Sequence, residues 1–157
     1  MIDPLVRVAS AADDVALEEL ETLARKSLTG QRGGDRWLQE HPPGSWARES
    51  TMTWVAHVDD VVVGYLVLDV DDADVALVES VFVTPEAREL GFGDALLDAA
   101  RSEAVRRGAA YLEGEALPGD RDIKNLYERA GITARLITVS TRLSPPTEPS
   151  TVAGASR

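Results

Sequence analysis

The chain contains no cysteine, which removes disulfides, thiolate nucleophiles and Cys-rich zinc sites at once. It has only two histidines, His41 and His57, sixteen positions apart, too sparse for a histidine metal centre, so no metal site is expected. No run approaches the roughly 18 apolar residues that a membrane span needs. The start, Met1-Ile2-Asp3-Pro4, has neither the basic nor the apolar segment of a secretory leader. Cationic side chains are in deficit: 16 Lys plus Arg against 27 Asp plus Glu leave a net charge of −11. Such a field repels a polyphosphate backbone and attracts cations, which counts against nucleic acid as a partner. These deficits predict a soluble, acidic, cytoplasmic domain with no membrane partner.

What is present is an ordinary globular composition. With 157 residues, 44% hydrophobic and 27% charged, the chain is one domain that can bury about two-thirds of its unfolded surface. Leu5-Val6-Arg7-Val8 alternates as a first strand does. Ser10 followed by Asp13 predicts a helix start, and Val15, Leu17, Leu20, Leu23 and Ala24 line that helix to Ser27-Leu28. Residues 29–50, rich in glycine and proline, read as a long loop broken by a helical piece around Arg36–Glu40. From Thr51 the period changes to two. Strands are predicted over Thr51–Val58 and Val61–Val70, joined by a tight turn at Asp59-Asp60, and over Val75–Thr84, stopped by Pro85. A helix Asp94–Arg107 ends at Gly108, a strand spans Ala109–Leu117, a helix Asp120–Arg129 ends at Gly131, and a last strand spans Ile132–Leu143. This order predicts an α/β (α+β) domain over residues 1–143: one mixed, mostly antiparallel sheet with helices on both faces. Residues 144–157, with Pro145, Pro146 and Pro149, read as a disordered tail.

The most informative segment runs Val81-Phe82-Val83-Thr84-Pro85-Glu86-Ala87-Arg88-Glu89-Leu90-Gly91-Phe92-Gly93-Asp94. Two glycines open a helix, so its first amides face outward with no Cβ in the way, which is an anion site of the pyrophosphate-binding type. A dinucleotide fingerprint would need a third glycine where Leu96 stands, and the glycines come seven residues after Thr84 rather than at once. Glu113 falls about where a ribose-binding acid would, so nicotinamide binding is an alternative reading. Two glycines that merely relax a turn are the plainer one. The acidic run Asp69–Asp74 lacks the Gly and Glu of a calcium loop, whose positions hold Asp74 and Ser80, and reads as a solvated turn.

Val83-Thr84-Pro85 followed by Arg88-Glu89-Leu90-Gly91-Phe92-Gly93 resembles the signature of the GNAT superfamily of N-acetyltransferases, V-x-P then (Q/R)-x-x-G-x-(G/A). A second signature, N-x-x-A-x-x-L-Y-x-x-x-G-F, is similar to residues 120–132: Leu126, Tyr127 and Gly131 match, while Asp120, Ile123 and Ile132 replace Asn, Ala and Phe. The resemblance covers nearly the whole chain except the tail, and implies a GNAT fold and an acetyl-CoA-dependent enzyme. It implies that the amides of Arg88, Glu89, Leu90, Gly91, Phe92, Gly93 and Asp94 cradle the CoA pyrophosphate. It further implies that the pantetheine arm pairs with the backbone of Val81, Phe82 and Val83, where two parallel strands splay. Arg88 is expected near phosphate and Lys124 near the nucleotide, and Asp120 would repel phosphate unless Arg121 or Lys124 compensates.

Amine attack on a thioester needs a base, because an alkylammonium of pKa about 10 is not a nucleophile, together with donors for the oxyanion and a partner for the departing thiolate. Strand amides near Val81–Val83 are candidate donors. Without a cysteine carrier, direct transfer is favoured over a ping-pong route. Glu79 is the candidate base, placed where the family often has a carboxylate acting through water, with Glu113 and Glu115 in reserve and a simple salt bridge as the plainer reading. Tyr127 is the candidate acid, its plainer reading being core packing. Trp37 and Trp46 belong either to the acceptor wall or to the core. The expected activity is acetyl transfer to a primary amine of a small molecule or peptide, in a monomer or homodimer. The alternative is a non-catalytic acyl-CoA binding module.

Overall fold

Period-two patterning between Thr51 and Val83 produces three consecutive antiparallel strands, and the rest of the molecule is arranged on them. A computed structural model describes residues 4–143. Strands β1 (Leu5–Val8), β2 (Thr51–Val58), β3 (Val61–Asp69), β4 (Val75–Val83) and β5 (Tyr111–Gly114) form one sheet in the order β1-β2-β3-β4-β5. The first three pairings are antiparallel and the last, β4 with β5, is parallel. Helices α1 (Asp14–Leu28) and α2 (Gly34–Glu40) precede β2; α3 (Phe92–Arg106) crosses from β4 to β5; α4 (Arg121–Arg129) follows β5.

The sheet has a core on each face. Against α3 and α4 pack Trp54, Leu66, Leu68, Val78, Phe92, Leu96, Leu97, Leu126 and Tyr127. Against α1 pack Leu17, Leu20, Val55, Tyr65, Val67 and Phe82, with Trp46 beside them. Leu96 is fully buried, and burial of such a side chain stabilises by about 1.5–3 kcal/mol. On α1 the apolar face is narrower than its spacing suggests, since Val15 and Leu23 are exposed and only Leu17 and Leu20 are buried. The Asp59-Asp60 hairpin forms as predicted, with Asp59 at φ 51°, a left-handed value that Asp tolerates better than most residues. In the acidic turn, Asp69 and Asp72 side chains accept the amides of Asp71, Asp74 and Val75, so these carboxylates shape the chain's own turn.

Two expectations are corrected. The strand predicted over Ala109–Leu117 is only Tyr111–Gly114, because Leu117-Pro118-Gly119-Asp120 turns toward α4. The strand predicted over Ile132–Leu143 does not form: this stretch pairs with no strand among the described residues. The expected tail, 144–157, lies outside the described residues.

The start of α1 is fixed by an ion pair. Arg7 Nη1 and Nη2 donate to Asp13 Oδ2 and Oδ1 at 2.7 and 2.8 Å, and the Ser10 amide donates to Oδ2 at 2.8 Å. The Arg7 guanidinium, against the cost of burial, holds the Asp13 carboxyl down to about 2 from 3.8. A lowered folded-state value means that the stabilisation is complete above the unfolded value and lost as pH falls through the folded one. Asp13→Asn is therefore expected to cost about 1–2 kcal/mol at neutral pH, Arg7 being half-exposed. The difference should shrink between pH 4 and 2 in thermal melts of both proteins; a pH-independent difference would assign the effect to packing instead.

Candidate functional site

The site begins with an irregularity in β4. Val67 of β3 pairs with Ser80, but the next residue, Leu68, pairs with Val78, so β4 carries one residue more than its partner at Glu79. A bulge of this kind re-aims side chains. Val78 and Val81 both point to the α3/α4 core, while Glu79 and Ser80 both face the α1/α2 side. On the other edge of β4 the parallel ladder with β5 ends at Val78–Gly114. From Glu79 to Val83 that edge has no strand beside it among the described residues, which is the splay expected between these two strands.

Tyr127 stands at the fork. Its ring is buried in the α3/α4 core, and a Cβ added at Gly114, the last paired residue of β5, would collide with the phenol. The tyrosine hydroxyl therefore reaches the parting strands only because position 114 is glycine. It makes no hydrogen bond to another described residue, and burial, helped by Glu115 and Asp120, pushes its pKa up, so it remains a neutral O–H donor.

At the far end of β4 the chain passes through a short 3-10 turn, Pro85–Ala87, and two left-handed residues, Glu89 (φ 64°) and Gly91 (φ 90°), into α3. No side chain caps α3, so its first-turn amides are free to accept an anion. Gly91 is required by its φ; Gly93 is not, since a Cβ there would lie 3.4 Å from Leu126, an ordinary contact. Arg88 Nε donates to Val83 O at 3.0 Å, its guanidinium lies 5.6 Å from the Phe82 ring centre, and Nη1 is 3.5 Å from Asp122 Oδ2. The segment from Val81 to Asp94 is thus one continuous ledge from the fork to the helix end. Within it the Phe82 and Phe92 side chains are core residues, leaving only their backbone for a ligand, and Leu90 and Glu89 are exposed. Asp94 pairs with Arg129 at 3.1 Å. Asp120, the departure from the signature, is the N-cap of α4: Oδ1 accepts the Ile123 amide at 3.2 Å. Lys124 Nζ donates to Pro118 O at 2.7 Å and so sits on the preceding loop rather than on Asp120.

Glu79 opens into a cleft of about 100 Å³ between the sheet, α1 and the long loop. Its carboxylate, mostly shielded, is ion-paired with Arg48, whose Nη2 is also 3.5 Å from Asp69. Ser80 donates to Tyr65 Oη at 3.2 Å, and burial drives the Tyr65 phenol up to about 12. The opposite wall is the Trp37–His41 stack, with ring centres 4.3 Å apart, together with Glu21 and Glu40. Arg25 ties this wall to α1 by donating to the carbonyls of His41 and Leu38 at 2.7 and 3.2 Å. Of the sequence candidates, Glu79 and Trp37 share this cleft, with His41 stacked on Trp37, while Trp46 packs on the α1 core. Glu113 is on β5, paired with Arg135 at 3.2 Å, away from it. Arg48, Tyr65 and Glu21 were missed; nothing local marks them, and Arg48 meets Glu79 from 31 positions away.

The split parallel pair with the Tyr127 phenol at its fork, the uncapped start of α3 beyond it and the Glu79 cleft on the opposite face are all arranged along β4. The sequence profile of the Acetyltransferase (GNAT) family matches residues 16–132, and the chain belongs to that family. Its five-strand mixed sheet with four helices is the GNAT fold. No curated protein matches the sequence. Solved structures do match. The aminoglycoside N-acetyltransferase AAC(6')-Iy in complex with CoA is 17% identical, with TM-score 0.64 over 88% of this chain and 99% of that one. A ribosomal-protein-alanine N-acetyltransferase from Brucella melitensis biovar Abortus 2308 is 21% identical, with TM-score 0.66 over 90% and 99%. A transcriptional regulator from Bacillus halodurans C-125 is 20% identical, with TM-score 0.66 over 89% and 99%. At these identities the likeness is one of fold.

Proposed function

We propose that the protein is an acetyl-CoA-dependent N-acetyltransferase that moves acetyl directly to a primary amine of a small molecule or peptide. The observation that carries this is the fork between β4 and β5 with the Tyr127 hydroxyl unengaged at its apex. Acetyl-CoA fits the ledge: a strand edge for the pantetheine amides, then free helix amides for the pyrophosphate. Solved structures of AAC(6')-Iy hold CoA and a bisubstrate analogue, CoA-S-monomethyl-acetylneamine, on the same fold, which supports the reading. No metal is assigned a part.

In the reaction, the acceptor nitrogen forms a bond to the acetyl carbon and the carbon–sulfur bond breaks. Glu79, through a water, takes the proton that makes the amine nucleophilic. Backbone amides of Val81–Val83 stabilise the oxyanion. Tyr127 donates a hydrogen bond to the departing sulfur; with its pKa raised, the phenol shares its proton rather than surrendering it. Arg88 and the amides to Asp94 hold the pyrophosphate, and Lys124 stands by the nucleotide end. Three acids in the acceptor cleft, Glu21, Glu40 and Glu79, against Arg25 and Arg48 favour a cationic acceptor. Its place is the cytoplasm, as a monomer or homodimer, without nucleic acid or membrane.

The test is thermal stability against acetyl-CoA, CoA and NAD, followed by CoA release with a panel of amines. Ligand at 100 times its dissociation constant adds about 2.7 kcal/mol, roughly 5–10 °C for a chain of this size. A shift with acetyl-CoA and none with NAD, then turnover with an amine, is expected. No shift with acetyl-CoA rejects the reading; a shift without turnover on any amine leaves a binding module.

A further inference from the structure

The extra residue in β4 sets two neighbours of one strand, Glu79 and Ser80, on the same wall of the cleft. Glu79 has a part in the proposed reaction and Ser80 so far has none. Ser80 is half-buried, and its Oγ donates to Tyr65 Oη at 3.2 Å. Tyr65 comes from β3, in register with Phe82. It is only 1% exposed, and its side chain lines the cleft beside Ser80.

Two hydroxyls carry two protons, and a bond between them uses one. Burial drives the Tyr65 phenol up to about 12, so it keeps its proton. Whichever hydroxyl donates to the other, one O–H is left without an acceptor among the described residues. Two charged groups of α1, Glu21 and Arg25, act on the phenol through space, but their bonds go elsewhere: Glu21 accepts from the Gly44 amide, and Arg25 donates to the carbonyls of His41 and Leu38. A shielded donor without an acceptor is costly, so the pair needs an oxygen or nitrogen atom on its cleft side. Glu79 is in the complementary state. Arg48 holds Oε1, and Oε2 has no partner among the described residues.

We propose that Ser80 and Tyr65 are positioning residues for proton removal: together they hold the water through which Glu79 acts. This rests on the acetyltransferase reading. The water oxygen accepts the free O–H of the pair, one water proton is donated to Glu79 Oε2, and the second lone pair of the oxygen faces the acceptor nitrogen. When the acceptor loses its proton, the N–H bond breaks and the electron pair stays on nitrogen. That proton joins the water as the water's own proton passes to Glu79, so the water is regenerated. Ser80 and Tyr65 keep their protons throughout. Their contribution is orientation: a water bound to the carboxylate alone could turn its lone pair away from the amine.

The test compares Ser80→Ala and Tyr65→Phe with the parent chain in CoA release from acetyl-CoA, using the same panel of amines. Each should lower kcat on the order of tenfold, with the acceptor KM and the dissociation constant for CoA unchanged. Ser80→Thr keeps a hydroxyl and should restore most of the rate. Neither Ser80→Ala nor Tyr65→Phe should reduce the activity of Glu79→Gln further, because the three residues serve one proton transfer. Full activity in Ser80→Ala or in Tyr65→Phe, a loss confined to the acceptor KM, or losses that multiply with that of Glu79→Gln would each overturn the proposal. A defect in Glu79→Gln beside a fully active Ser80→Ala overturns it and leaves the acetyltransferase reading standing. A parent chain that turns over no amine removes that reading and this inference with it.

Discussion

Replacing Tyr127 by phenylalanine is expected to lower kcat by about 100-fold while the dissociation constant for CoA stays within a factor of about two. The asymmetry follows from the geometry. The ring is a core element and Phe keeps it, so the fold and the fork remain. The hydroxyl makes no bond to another described residue, so its removal leaves no orphaned partner and little change in melting temperature. What is removed is a neutral donor beside the sulfur, needed only as charge develops there. Burial strengthens the expectation of neutrality: with its pKa pushed up, the phenol keeps its proton throughout the pH range of an assay, so the defect should be independent of pH. Single-turnover kinetics with CoA binding measured in parallel decide the matter, and a fully active Tyr127→Phe protein would remove Tyr127 from the mechanism.

Glu79→Gln carries the second large effect, about 100-fold in kcat/KM at neutral pH, narrowing as pH rises toward the pKa of about 10 at which the free amine exists unaided. Arg48 acts through Glu79 in this scheme. Arg48→Met alone should reduce kcat/KM about tenfold, yet add little when Glu79 is already glutamine, because coupled residues are non-additive. If the two losses simply multiply, Arg48 has a role of its own, with the acceptor for example. If Glu79→Gln has wild-type kinetics at every pH, Glu79 is only the partner of a salt bridge.

The fold was legible wherever local pattern and long-range pairing agree. Thr51 to Val83 alternates, turns at Asp59-Asp60 and pairs antiparallel as read, and the opening of α3 was visible in Gly91 and Gly93, of which the structure requires only Gly91, by its φ of 90°. Ile132–Leu143 fails for the opposite reason: β-propensity describes a side chain's fit to a pleated surface, and pairing also needs an edge in the right place. On the site, Tyr127 and the ledge came through the resemblance in Val83–Gly93 and Leu126–Gly131. Asp120, the departure from the second signature, caps α4, while Lys124 is held by Pro118 O rather than by that carboxylate. The acceptor cleft was the least legible part. Arg48, Tyr65 and Glu79 come from a loop, β3 and β4 and meet only after the sheet is assembled, and the extra residue in β4 has no signal in a sequence that alternates on both sides of it.

That extra residue separates two kinds of constraint. Because β4 is one position longer than β3 requires, Glu79 and Ser80 occupy a stretch where a regular strand would present a single side chain to the cleft, while Val78 before and Val81 after it keep their places in the opposite core. Deleting Ser80 would therefore leave the apolar phase of the strand intact. At this point the cleft wall can change length or polarity without changing which residues of β4 enter the interior.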